Sequence, residues 1–139
     1  MKKTALFFLL LAFGCASKPK TPAVHVSLVN NNRSVKCTGL DYAIMSEINR
    51  DTLPGIWENL IPVYRMPADT DMKDYQPIQH GKYQLSGSVT VFTPDTPFAK
   101  GQVYFMRYYR FEGATNAWDF IKGKKKLRDT KYIDLIFTN

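Results

Sequence analysis

Alternation between apolar and polar residues is clearest from Lys82 to Phe92, where it is almost uninterrupted. A period of two residues is typical of a β-strand with one buried face. The pattern therefore predicts a single strand whose core-facing residues are Tyr83, Leu85, Val89 and Val91. The residues expected to face solvent are Lys82, Gln84, Ser86, Ser88 and Thr90.

Three further stretches have the composition of strands. Residues 24–29 alternate and are rich in β-branched side chains, and residues 132–137 are suited to a closing strand. Residues 102–111, which follow Gly101, are apolar or aromatic on both faces. A strand of that kind lies in the centre of a sheet or has its second face covered, so we expect one of these two positions.

The segments between these strands are less regular. Residues 35–48 begin like a strand, but residues 42–48 also match one helical face, and their extended neighbours favour a strand. Residues 56–64 are expected to end as a strand, with Pro62 at an edge or an irregular start. Residues 66–80 have little periodicity and predict a structured loop, whereas residues 113–123 are compatible with one or two helical turns.

Turn-forming residues separate these segments at regular intervals. Three short segments contain the turn-forming residues Asn, Gly or Pro: Asn30 to Ser34, Leu53 to Gly55 and Thr93 to Lys100. About seven strands in some 120 residues predict an all-β protein, an antiparallel β-sandwich that is immunoglobulin-like or transthyretin-like. We expect residues 23–139 to form this single domain.

The first residues have a different pattern, which is that of an export signal. A positive head, Met1 to Lys3, precedes an unbroken apolar run from Ala5 to Phe13, and small residues follow at Gly14 to Ser17. This order is typical of a secretory signal peptide. The run is too short for a membrane span, which needs about 20 apolar residues. Residues 1–14 are therefore predicted to be cleaved.

The tetrapeptide Ala12-Phe13-Gly14-Cys15 resembles the lipobox of bacterial lipoproteins. It keeps the Gly and the Cys, and it has Ala and Phe where Leu and a small residue are common. The resemblance implies that Cys15 carries diacylglycerol and further acyl chains such as palmitate. It also implies that Ala16 directs the protein to the periplasmic face of the outer membrane. Residues 15–22 would then be a lipidated tether, of which residues 17–22 reach about 20 Å when extended.

A second, shorter resemblance lies in Phe92 to Tyr104. Its sequence, Phe-Thr-Pro-Asp-Thr-Pro-Phe-Ala-Lys-Gly-Gln-Val-Tyr, is similar to a proline-shaped hairpin of bacterial immunoglobulin-like and copper-carrier-like sandwich domains. The similarity implies a sandwich in which Phe98 and Tyr104 pack on the core. It is a likeness of fold, and it assigns no function.

Composition and charge narrow the possible partners. The chain of 139 residues is 45% hydrophobic, which is typical of a globular domain. Loss of Lys2 and Lys3 with the signal lowers the formal charge from +7 to +5. An exported protein is not expected to meet nucleic acid, whereas anionic lipid headgroups and acidic protein faces remain compatible partners. If Cys15 is acylated, Cys37 has no partner and is expected to be a small buried apolar residue.

Metal binding is one chemistry that the sequence suggests. Asp69, Asp71 and Asp74 place three carboxylates in one short stretch, and calcium prefers oxygen ligands of this kind. The Gly and the terminal Glu of the calcium-loop motif are absent, however, and a solvated acidic loop is the other interpretation. A copper site could use Met66, Met72 and His80, because thioether and imidazole groups suit copper. The one cofactor-like group that we expect is the covalent lipid.

Catalysis has less support. The two histidines, His25 and His80, have no neighbouring Ser or Cys at a spacing that indicates a catalytic set. His25 is expected on the solvent face of the first strand, opposite Val24 and Val26, and His80 in a loop. We therefore predict that the protein is not an enzyme.

A basic stretch near the carboxyl end is the candidate binding surface. Lys122 to Arg128 holds five positive residues in seven and follows two aromatic residues. Such a stretch is either a solvated hairpin tip or a docking site for an acidic partner. The candidate partner-binding residues are Trp118, Lys122, Lys124, Lys125, Lys126 and Arg128. We predict a membrane-anchored periplasmic lipoprotein that binds another envelope protein. The alternative is a periplasmic domain that binds a small ligand or a metal, calcium or copper.

Overall fold

Seven β-strands form two antiparallel sheets in the computed structural model, which describes residues 23–41, 45–46, 55–110 and 131–139. The strands are β1 (His25–Val29), β2 (Ser34–Thr38), β3 (Val63–Arg65), β4 (Gly81–Ser86), β5 (Val89–Pro94), β6 (Val103–Tyr109) and β7 (Tyr132–Thr138). One sheet has the order β1-β2-β5-β4 and the other the order β3-β6-β7. The predicted all-β sandwich is confirmed.

The hydrophobic core lies between the two sheets. Alternate residues of the strands point into it, and its fully buried members include Val35, Cys37, Phe92, Val63 and Met106. The predicted strands over residues 24–29, 102–111 and 132–137 are confirmed as β1, β6 and β7. β6 is the central strand of its sheet, as its apolar character on both faces predicts.

The long alternating stretch is two strands and not one. β4 and β5 pair with Ser86 opposite Val89, so the chain reverses at Gly87 and Ser88. Gly87 has a φ of 60°, which suits the first central position of a type II′ hairpin turn. The prediction of a single strand was wrong because a two-residue turn hides within an alternating pattern.

The reversal changes which residues of β5 face the core. Tyr83 lies opposite Phe92, and Leu85 lies opposite Thr90, so all four share the inner face. Thr90 is therefore fully buried, although its alternation with Val89 and Val91 predicted a solvent position. Both valines lie on the outer face, where they are half-buried.

Residues 95–102 connect the two sheets. They join β5, in the four-stranded sheet, to β6, in the three-stranded sheet, so the connection is a crossover between sheets and not a hairpin. Phe98 and Tyr104 are both buried, as the resemblance in this region implies. The hydroxyl of Tyr104 also accepts a hydrogen bond of 2.9 Å from the backbone N–H of Ala99.

Helical turns occur in three segments for which the sequence predicted a strand, a strand at the end only, and a loop, respectively. β2 ends at Thr38, and Met45 is helical, with its N–H bonded to the Asp41 carbonyl, so the strand expected up to residue 48 is wrong there. Residues 56–64 begin as helix α1 (Ile56–Leu60) before β3. The predicted loop over 66–80 contains a 3-10 helix (Thr70–Tyr75).

Several predicted features lie outside the described residues. These are the signal peptide over residues 1–14, the tether over residues 15–22 with Cys15, the helical turns over residues 113–123, and the basic stretch from Lys122 to Arg128. Within the part of the chain that the structure describes, no helix is long and apolar enough to cross a membrane.

Candidate functional site

The outer face of the three-stranded sheet is unusually aromatic for a surface that points away from the core. Because side chains alternate along a strand, the neighbours of core residues Tyr104 and Met106 lie on this opposite face. Strand pairing places Tyr64 beside Phe105, Arg107 beside Asp134, and Tyr109 beside Tyr132. We call this surface the aromatic face, and its members are Tyr64, Phe105, Arg107, Tyr109, Tyr132, Asp134 and Ile136.

Arg107 lies at the centre of the aromatic face and is only 7% exposed. Its Nε and Nη2 donate to the two carboxylate oxygens of Asp134 at 2.8 and 3.0 Å. Nη2 also donates to Oδ1 of Asp74 at 2.8 Å. A bidentate guanidinium–carboxylate pair is among the strongest and most directional polar contacts in proteins. The geometry therefore holds this arginine in one orientation.

Aromatic rings surround the same guanidinium group. Its central carbon lies 3.9 Å from the centre of the Tyr132 ring, and the rings of Phe105 and Tyr64 are 5.5 and 5.8 Å away. Cations are attracted to the faces of aromatic rings at these distances. The rings thus stabilise a charge that burial would otherwise penalise.

The 3-10 helix is attached to the aromatic face by two ion pairs. Lys73 Nζ lies 2.7 Å from Oδ2 of Asp134, and Asp74 pairs with Arg107. Lys73 also covers the ring of Phe105, at 4.7 Å from its centre. We call Lys73, Asp74, Arg107 and Asp134 the clamp, because these four residues hold the helix against the sheet.

Contacts within the clamp shift the pKa values of Asp134 and Arg107. Burial alone would raise the pKa of Asp134, but hydrogen bonds and charge from Arg107 and Lys73 lower it below its ordinary value. Burial alone would lower the pKa of Arg107, and its bonds to Asp134 and Asp74 raise it instead. The pKa of Tyr64 rises to about 12, chiefly through burial. Both shifts favour the charged forms of Arg107 and Asp134 at neutral pH.

Exposed apolar side chains are concentrated beside the clamp. Among the described residues, the large exposed hydrophobic side chains are Met72, Tyr75, Tyr132, Ile133 and Ile136, and all five lie in the 3-10 helix or in β7. Ile133 alternates onto the other face of β7. We call Met72, Tyr75, Tyr132 and Ile136 the exposed patch; their exposed fractions are 48%, 77%, 45% and 59%. The clamp joins the two segments that carry them.

An open cleft of about 500 Å³ lies at the end of the same sheet. Its lining residues are Arg65, Met66, Pro67, Ala68, Gln76, Gln102 and Val103. Arg65 Nη2 donates to Oε1 of Gln102 at 2.8 Å, and the Gln102 amide nitrogen donates to the carbonyls of Met66 and Val103. Much of the hydrogen-bonding capacity of the Gln102 amide is therefore used within the cleft wall.

Two of the three carboxylates predicted as a metal site, those of Asp69 and Asp74, are engaged in separate contacts. Asp69 accepts a hydrogen bond of 3.0 Å from the N–H of Asp71 at the start of the 3-10 helix, and Asp74 belongs to the clamp. Within the described ranges, no group of three or more His, Cys, Asp or Glu side chains is suited to hold a metal ion.

Met66, Met72 and His80, the residues of the possible copper site, lie after β3, in the 3-10 helix and before β4, respectively. His80 Nδ1 lies 3.1 Å from Oε2 of Glu58, and Met72 is exposed on the 3-10 helix. His25 is exposed on β1, as predicted. Cys37 is fully buried, as expected, and burial raises the pKa of its thiol to about 12. Such a thiol is a packing residue and a poor nucleophile at neutral pH.

Sequence reasoning did not identify Arg107 or Asp134. Each is a charged residue inside a strand that is otherwise apolar or aromatic, and that contrast was the available signal. The strand register that places them opposite each other is a property of the sheet, because the two residues are far apart in the sequence.

Comparison with known proteins finds no relative for this chain. It matches no protein-family model, no curated protein and no solved structure.

Proposed function

We propose that the protein is a periplasmic lipoprotein, acylated at Cys15, whose sandwich domain is a non-catalytic accessory domain that binds another cell-envelope protein. The exposed patch beside the clamp carries this proposal. Large apolar side chains on a surface mark interaction sites when they are contiguous. Interfaces are also enriched in aromatic residues, Met and Arg, which are the residue types of the aromatic face and the exposed patch.

Preorganisation of this surface supports a binding role. The clamp holds the 3-10 helix and β7 together before any partner arrives. Rigid contact residues lose little conformational entropy on association, so more of the contact energy is available for binding. The basic stretch from Lys122 to Arg128, which joins β6 to β7 in the sequence, remains the second predicted contact surface.

The anchor is tested by replacing Cys15. We expect Cys15→Ser to move the protein from the membrane fraction to the soluble fraction, because no acyl chain can be attached to serine. Cys37→Ala is the matched control, since it removes the other cysteine and is expected to leave fractionation unchanged. A Cys15→Ser protein that stays in the membrane fraction contradicts the anchor.

The binding surface is tested by site-specific photo-crosslinking in intact cells. A photoreactive residue at Ile136 is expected to give a discrete adduct with one envelope protein, whereas the same residue at Gln84, in the other sheet, gives none. Tyr132→Asp is expected to reduce the Ile136 adduct at least severalfold, because it places a charge in the exposed patch. The triple variant Lys124→Glu/Lys125→Glu/Lys126→Glu tests the contribution of the basic stretch in the same assay. Equal amounts of adduct at Ile136 and Gln84 would contradict the proposal that the aromatic face binds the partner.

A small-ligand domain is the second candidate, and the cleft beside Arg65 and Gln102 favours it. Its volume of about 500 Å³ falls within the range of small-molecule sites. Metal analysis and thermal shift with Ca²⁺ or Cu⁺ test the metal version of this candidate. A saturable stabilisation that Arg65→Ala abolishes would favour a ligand site in the cleft, and no shift would remove the metal version.

A further inference from the structure

The outer face of the four-stranded sheet contrasts with the aromatic face in its chemistry. Pairing aligns Ser27, Lys36, Val91 and Gln84 in one row across the four strands. We call this surface the polar face, and its members are His25, Ser27, Val29, Ser34, Lys36, Thr38, Lys82, Gln84, Ser86, Val89, Val91 and Thr93. Hydroxyl, amide and amine groups predominate on it.

The charges of the polar face all have one sign. Lys36 and Lys82 lie on it, Arg33 is exposed in the adjoining turn, and its four strands contain no Asp or Glu. No ion pair joins Lys36 or Lys82 to a carboxylate within the described ranges. On the aromatic face, by contrast, the two cations of the clamp are neutralised by two carboxylates. The two outer faces of the sandwich therefore differ in net charge.

The polar face also includes the first strand after the proposed anchor. β1 contributes one edge of it and begins ten residues after Cys15. Ten residues span at most about 35 Å even when fully extended, so the start of β1 lies within that distance of the headgroups. Each Lys or Arg near an anionic membrane contributes about 1 kcal/mol of attraction. Three such residues would bind weakly alone, but tethering makes the contact intramolecular and raises the effective concentration.

We propose that the polar face lies against the anionic lipid headgroups of the membrane that holds Cys15. This orientation turns the aromatic face and the exposed patch toward the periplasm, where a protein partner can reach them. The inference rests on the proposed lipid anchor. It assigns Lys36, Lys82 and Arg33 to membrane contact.

The experiment uses the lipidated protein, reconstituted into vesicles of phosphatidylcholine with or without phosphatidylglycerol. A dye is attached to Gln84→Cys on the polar face or to Ile136→Cys on the aromatic face, and quenching by a headgroup-labelled lipid is measured. The buried Cys37 does not compete for the dye. We expect severalfold greater quenching at Gln84→Cys than at Ile136→Cys with phosphatidylglycerol, and loss of the difference without it or at high salt.

A charge-reversal variant tests the assigned residues. Arg33→Glu/Lys36→Glu/Lys82→Glu is expected to abolish the difference between the two dye positions. Lys100→Glu/Arg110→Glu/Lys131→Glu makes the same charge change at exposed residues outside the polar face and is expected to preserve it.

The outcomes separate orientation from anchoring. Protein that floats with the vesicles but is quenched equally at both positions, or equally in neutral vesicles, overturns the orientation and leaves the anchor standing. If the protein isolated from cells carries no acyl chain on Cys15, both the anchor and the orientation are overturned.

Discussion

Arg107 is a buried charged residue whose charge is compensated by several neighbours. It is a buried cation with two carboxylate partners and a tyrosine ring stacked against its guanidinium group. A buried ion pair contributes little net stability compared with apolar residues, but removal of one partner leaves an uncompensated charge. The residue therefore matters chiefly for holding Asp134 and the 3-10 helix in place.

Replacement of Arg107 should destabilise the fold. We expect Arg107→Met to lower the free energy of unfolding by about 3 kcal/mol, because the Asp134 carboxylate, whose side chain is 11% exposed, loses its bidentate partner. Urea denaturation measures the change. Arg65→Met, which removes an exposed arginine with a single side-chain hydrogen bond, is the control and should cost less than about 1 kcal/mol. Equal losses of unfolding free energy in the two variants would show that the clamp contributes no more to stability than an exposed hydrogen bond.

The clamp also predicts a pH dependence. The pKa of Asp134 is lowered in the folded protein, so its ionisation contributes stability above the unfolded value of about 4. That contribution is lost as the pH falls from about 4 through the lower folded pKa, where the carboxylate becomes protonated. Asp134→Asn should therefore flatten the fall in unfolding free energy between about pH 5 and about pH 2. Asp95→Asn, an exposed carboxylate outside the clamp, should retain the wild-type slope.

At the scale of elements, two glycines shape the β4–β5 hairpin in different ways. Gly87 has a positive φ and open space around it, so its requirement is conformational. Gly81 is a close-approach position, where a Cβ atom would collide with the backbone oxygen of Thr93 and the ring of Phe92. The first glycine allows the chain to turn, and the second allows the strands to pair.

These two requirements predict different costs. Gly81→Ala should lower the free energy of unfolding by about 3 kcal/mol, because backbone atoms of β5 must move to admit the methyl group. Gly87→Ala should cost about 1 kcal/mol, since only the positive φ is penalised. Thermal or urea unfolding of both variants provides the comparison. A larger loss of unfolding free energy for Gly87→Ala than for Gly81→Ala would contradict the conclusion that close approach at Gly81 is the stricter requirement.

At the scale of the whole molecule, Phe98 joins the two sheets. Its ring centre lies 6.5 Å from that of Phe92 in the four-stranded sheet, and 4.7 and 5.3 Å from those of Tyr104 and Phe137 in the other. The crossover connection thus supplies a side chain that both layers pack against. This contact is a property of the sandwich and of neither sheet alone.

Truncation of Phe98 should therefore weaken the whole domain. We expect Phe98→Ala to cost about 3–5 kcal/mol through lost apolar burial and the cavity that remains. Tyr75→Ala, which truncates a side chain that is 77% exposed, is the matched aromatic control and should change stability by less than about 0.5 kcal/mol. Denaturant unfolding followed by circular dichroism measures both, and a small loss for Phe98→Ala would contradict its joining role.

Local patterns in the sequence were sufficient to predict the fold class and several particular elements. β1, β6 and β7 were predictable, because alternation and β-branched or aromatic content are local properties, and the central place of β6 followed from its two apolar faces. The burial of Cys37 followed from its chemistry.

The candidate site, by contrast, depends on contacts between strands and on the hairpin turn, which local patterns do not reveal. The turn at Gly87 and Ser88 was hidden because a hairpin preserves an alternating pattern while reversing its direction, and that reversal buried Thr90. The pairing of Arg107 with Asp134 depends on the register of β6 and β7, and the role of Asp74 depends on where the 3-10 helix contacts the sheet. Such contacts join residues distant in sequence, and a local pattern of polar and apolar residues does not specify the partner of a charged side chain.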